Sequence, residues 1–116
     1  MTPKEFRQLA LSLPEAVEGA HMGHADFRIE GKIFATLGYP DDEWGMVKLP
    51  REEQQRLNKK HPDTFVPAKG NWGEQGSTQV HLAKMDEATL TPALKLAWQT
   101  AAPKLLTQKA ILPKKP

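Results

Sequence analysis

The chain has 116 residues, 39% of them hydrophobic and 26% charged, which suits one globular domain and lies far from the apolar-poor composition of disordered segments. It contains no cysteine, which excludes disulfides, thiolate zinc sites, iron–sulfur clusters and a cysteine nucleophile. A net charge of +2, with the basic excess drawn toward Lys104, Lys109, Lys114 and Lys115, leaves only a slight bias toward polyanionic partners.

At the N-terminus, Thr2, Pro3 and Glu5 have the arrangement of a helix cap, a first helical residue and the return partner of a capping box. Phe6, Leu9, Ala10 and Leu13 then recur at helical spacing, and Pro14 closes the pattern. This opening lacks the basic-then-apolar layout of a secretory signal. No later run reaches the roughly 18 apolar residues of a membrane span. A cytoplasmic location, with no membrane partner, is therefore expected.

From Ala16 to Lys48 the period changes and glycines punctuate the chain. Phe27 and Ile29 alternate with Asp26, Arg28 and Glu30, Glu30-Gly31 makes a tight turn, and Ile33 to Leu37 returns, so a β-hairpin is expected here. Trp44, Met46 and Lys48 fall on one face of a third strand, with Val47 and Leu49 on the other. A further short strand over Val17 to His21 fits the same pattern. Pro50 opens an exposed helix from Arg51 to Lys60, with its acids early and its bases late, as the helix dipole favours.

Phe65-Val66 and Gln79 to Leu82 read as two more strands, giving a sheet of five. Between them lies the glycine-rich loop Lys69 to Gly76. Thr91 and Pro92 are expected to cap a last helix carrying Leu94, Ala97, Trp98 and Ala101 on one stripe, limited by Pro103. The organisation expected is one α+β domain over residues 1–106 and a flexible basic C-terminal tail over 107–116. The element order expected is helix, three strands, helix, two strands, helix.

Several words in this order are distinctive: His21-Met22-Gly23-His24-Ala25-Asp26-Phe27-Arg28, Gly31 to Leu37, Trp44-Gly45-Met46-Val47-Lys48-Leu49, and Ala97-Trp98 followed by Ala102-Pro103-Lys104. They resemble the MmcQ/YjbR family of small bacterial proteins, over about Phe6 to Leu106. The resemblance implies a two-layer α+β arrangement, α-β(3)-α-β(2)-α with an antiparallel sheet, similar to the secretion-chaperone-like or CyaY-like folds, and a DNA-binding role. It brings no agreed substrate, cofactor or catalytic residue.

Residue chemistry agrees with a non-enzymatic reading. Ser12 and Ser77 sit in no nucleophile elbow, and Asp41-Asp42 and Glu52-Glu53 read as turn and helix-start acids. His21, His24 and Asp26 are types that ligate metals, but residues three apart on a strand point to opposite faces unless Gly23 bends the chain, so no metal or other cofactor is expected. Lys69-Gly70-Asn71-Trp72-Gly73 joins a cation, flexible glycines and an aromatic able to stack on a base, yet lacks the spacing of a phosphate loop. The competing reading folds Trp72 back over the sheet as a lid.

The basic pool comprises Arg28, Lys32, Lys48, Arg51, Arg56, Lys59, Lys60, Lys69 and Lys84. Within it, Arg51, Lys59, Lys60 and Lys69, together with Trp72, form the candidate nucleic-acid site. The partner expected is DNA through phosphate contacts. The alternative is a small adaptor binding a protein or ligand by its sheet face or the Trp72 loop; on either reading a monomer or weak homodimer is expected.

Overall fold

The computed structural model describes residues 1–38 and 41–102; the expected basic tail over 107–116 lies outside them. The first helix, α1 (Pro3–Leu11), has the capping box that its sequence predicts. The Glu5 N–H donates to Thr2 Oγ1 at 3.1 Å and the Thr2 N–H to Glu5 Oε1 at 2.8 Å. That second bond holds the Glu5 carboxyl below its ordinary pKa.

Four strands follow in an antiparallel meander: β1 (Val17–His21), β2 (His24–Ile29), β3 (Lys32–Leu37) and β4 (Trp44–Lys48). Two-residue turns at Met22-Gly23 and Glu30-Gly31 join the first three, with φ near 50° and 81° at both. These are the left-handed pairs that match strand twist, and glycine adopts the second position without strain. Then come α2 (Arg51–Lys60), β5 (Phe65–Pro67), α3 (Gly70–Glu74), β6 (Ser77–His81), a 3-10 turn (Leu82–Lys84) and α4 (Glu87–Ala101).

Among the described residues the sheet has six strands in the order β1-β2-β3-β4-β6-β5. The α+β architecture and the antiparallel sheet are as expected from the sequence. The count of five strands is corrected by β1, the weakly patterned segment that pairs fully with β2, from Val17 opposite Arg28 to His21 opposite His24. Gly70–Glu74 is helical and not simply a loop.

The last helix also starts earlier than Thr91-Pro92 suggests. Asp86 accepts from the Thr89 N–H at 2.7 Å as the true cap, and Pro92 lies inside the helix. There the proline removes only the bond to Ala88, one turn back, while the added turn buries Leu90 completely.

Phe6 and Ala10 of α1, Leu57 of α2, and Leu90, Leu94, Ala97 and Trp98 of α4 join Phe27, Phe34, Val47 and Val80 of the sheet in one core. The helices therefore form one layer. The alternate strand residues point to the other side of the sheet, including His24, Asp26, Trp44, Met46 and His81. No described helix is long and apolar enough to cross a membrane.

Candidate nucleic-acid interface

The five candidate residues divide between the two ends of α2. Arg51 opens the helix and Lys59 and Lys60 close it, about 13 Å apart at 1.5 Å per residue. Lys69 is the N-cap of α3, and Trp72 stands one turn in. Trp72 is 69% exposed, so the lid reading is wrong. What fills the space beneath α3 is backbone: a Cβ on Gly73 would lie 1.8 Å from the Ala68 carbonyl oxygen, so α3 docks where only glycine fits. With its backbone seated this closely, the short helix turns the indole outward.

Gln54 joins the two helices. It is buried, and its Nε2 donates to the Gly73 carbonyl at 2.9 Å, the Ser77 carbonyl at 3.1 Å and Thr78 Oγ1 at 3.1 Å. One amide on the inner face of α2 thus fixes α3 against the start of β6 and joins the first half of α2, which Arg51 opens, to the end of the Lys69–Gly73 turn. Lys59 and Lys60 are not part of that corner.

The charges sort in a useful way. Arg56 is held by Glu53 at 2.7 Å, Lys84 faces Asp63 at 3.8 Å, and Arg28 is bound to Asp26 at 2.7 Å. Arg51, Lys59, Lys60 and Lys69 are exposed and form no ion pair among the described residues. The corner is not strongly basic, because Glu52 and Glu74 are exposed nearby in sequence.

A second polar constellation lies on the opposite face of the sheet. Asp26 is fully buried, and its carboxylate accepts from Arg28 Nε at 2.7 Å on one oxygen, and from Arg28 Nη2 at 3.0 Å and His21 Nδ1 at 2.7 Å on the other. The Arg28 bonds, outweighing burial and aided by His21, hold the Asp26 carboxyl below the ordinary carboxylate range; Asp26 in turn raises Arg28. The Met22-Gly23 turn does bend the chain enough to bring the His21 and His24 rings to 6.5 Å between centroids. Yet Asp26 is committed to Arg28, and no group of three metal-ligating side chains is found among the described residues.

The family model for YjbR matches residues 11–100, most of the chain. The protein belongs to the YjbR family. Its fold is also that of protein DR2400 of Deinococcus radiodurans, a protein with a DUF419 domain, at a TM-score of 0.74 and 18% identity over 97% of this chain and 89% of that one. At that identity the likeness concerns the fold alone. No curated protein matches the sequence.

All five candidate residues and the Asp26 cluster fall inside the matched YjbR region. Sequence reasoning missed Gln54, because a glutamine among the polar residues of an exposed helix gives no sign of burial. The one available signal was its place at i−3 to Leu57, on the inner face. Replacing Gln54 by Leu in this YjbR domain would remove three buried hydrogen bonds while the Gly73 and Ser77 carbonyls keep their backbone bonds from Gly76 and Ala68, at an expected cost of about 1–2 kcal/mol. Urea denaturation measures it, and a change under about 0.5 kcal/mol would show that the amide does not anchor α3.

Proposed function

We propose that this YjbR-family protein is a non-catalytic DNA-binding protein that uses the corner between α2 and α3, with single-stranded DNA as the preferred form. The observation that carries the reading is Trp72, 69% exposed on an anchored turn next to the unpaired Lys69 and joined through Gln54 to the first half of α2, which Arg51 opens. An indole held in this way offers a stacking face to an unpaired base, while Arg51 and Lys69 neutralise adjacent phosphates. Lys59 and Lys60, at the far end of α2, extend the path of the backbone. Among the described residues no recognition helix projects from this corner, so contacts to phosphate and base faces carry the affinity and base-edge readout does not.

The test is fluorescence anisotropy of labelled single- and double-stranded DNA at low and physiological salt. Trp72→Ala is expected to weaken single-strand binding by about 1–3 kcal/mol, the usual range for one stacked base. Its effect on folding stability should stay within about 0.5 kcal/mol, as for other exposed positions. Lys59→Ala/Lys60→Ala/Lys69→Ala should lower the slope of log affinity against log salt by about 0.7 for each phosphate that is no longer neutralised. Absence of binding at low salt would reject the proposal and favour a protein partner for the Trp72 surface.

A further inference from the structure

We propose that the open face of the sheet carries a second binding site, for a phosphate monoester, built from Arg28 and His21 around the buried Asp26 carboxylate. This site lies on the opposite side of the sheet from the helices and does not depend on the DNA reading.

A buried carboxylate is costly to desolvate and adds little to stability that an apolar residue would not supply. Asp26 directs its bonds to two side chains of its own hairpin that both remain partly open to solvent, His21 at 40% and Arg28 at 34%. Its effect is to fix their orientation. Arg28 is gripped through Nε and Nη2, and Nη2 also leans on the Ala20 carbonyl at 3.4 Å, while Nη1 takes no part in these bonds. His21 is gripped through Nδ1, and both residues share the same carboxylate oxygen, so the guanidinium and the imidazole sit side by side.

Because the ionised Asp26 only accepts, His21 Nδ1 donates to it, and Nε2 is the atom left to meet a ligand. Gly19 keeps the space over β1 clear: a Cβ there would come within 3.0 Å of both Arg28 Nε and Asp26 Oδ1. Among the described strand residues, Asp26 is the one carboxylate that the register places on this face, since Glu18 lies opposite Phe27 on the other side.

The chemistry selects the ligand. Nη1 supplies charged N–H donors to an anionic oxygen. A tetrahedral phosphate monoester has three terminal oxygens, so one can accept from Nη1 while another meets Nε2 of His21. A phosphodiester carries a single charge on two terminal oxygens, and a carboxylate offers only two oxygens in one plane. The Nε/Nη2 edge of Arg28 is already filled by Asp26, which leaves the Nη1 side for the ligand.

The experiment is a titration of the isotope-labelled full chain, followed by NMR of the Arg28 Nε–Hε and His21 ring signals, at constant ionic strength. The probes are inorganic phosphate, phenyl phosphate, dimethyl phosphate and acetate. Saturating shifts at Arg28, His21 and the β1–β2 hairpin with the first two, and at least about tenfold weaker response to the diester and acetate, are expected. Arg28→Lys, which keeps the charge but loses the fork, should weaken phosphate binding about tenfold. His21→Gln, which keeps an amide able to reach Asp26, should do the same and covers the case in which the lysine variant fails to fold. Non-saturating shifts, equal response to all four anions, or shifts centred on Lys59 and Lys60 would overturn the proposal.

Discussion

Arg28→Ala is expected to be among the most damaging single changes, although Arg28 is itself one-third exposed. The cost falls on Asp26. With the guanidinium gone, a fully buried carboxylate keeps only the His21 bond, and stranding a buried ion in this way costs about 3 kcal/mol, the low end of the usual range because water enters where the guanidinium lay. Asp26→Ala is expected to cost less, since it removes the buried charge and leaves Arg28 able to turn to solvent.

The two variants also differ with pH. In the folded protein the Asp26 carboxyl lies below its ordinary value, so its contribution is fully present above the pKa of an unfolded aspartate and is lost as pH falls through the folded-state value. The gap in stability between wild type and Arg28→Ala should therefore narrow as the solution is acidified below pH 4. Urea unfolding at several pH values measures this. A gap independent of pH would mean that the Asp26–Arg28 bond does not stabilise the fold.

Trp98→Ala is the second large effect. Trp98 is 2% exposed in the core under β3 and β4, and its indole N–H donates to the Pro14 carbonyl at 2.9 Å, 84 positions away in the chain. Truncation leaves a cavity between α4 and the exit from α1 and frees that carbonyl, for an expected loss of about 3–5 kcal/mol. Trp98→Phe separates the two effects, because it keeps most of the volume and loses the hydrogen bond, so about 1–2 kcal/mol is expected. Thermal or urea unfolding of both variants is the check. Equal losses would place the energy in the hydrogen bond and not in packing.

How much of the fold is legible in the sequence depends on how local each signal is. The capping box of α1, the bounds of α2, the Glu30-Gly31 turn and the stripe leading to Trp98 are local, and local spacing finds them. The start of α4 is ambiguous in sequence because Thr91-Pro92 and Asp86-Glu87 both resemble caps, and only the burial of Leu90 decides between them. β1 gives a weak signal because Val17-Glu18-Gly19-Ala20-His21 has one β-former and a glycine, and it becomes a strand by pairing with β2.

At the candidate site, charge alone identifies the cations. The outward face of Trp72 depends on the close approach of the Gly73 backbone to Ala68, a tertiary fact with no sequence period. The same holds for Asp26. Alternation places it on the polar face, and only the Arg28 and His21 side chains folding over it bury it.

The most direct test of DNA binding at the α2–α3 corner is tryptophan fluorescence during titration with a single-stranded oligonucleotide at low salt. Trp98 is buried and Trp44 is stacked on His81 with centroids 4.6 Å apart, which leaves Trp72 as the highly exposed indole of the three. Binding at this corner predicts saturable quenching that persists in Trp44→Phe, disappears in Trp72→Phe, and weakens steeply as salt is raised. Quenching that survives in Trp72→Phe, or none at any oligonucleotide concentration, would contradict it.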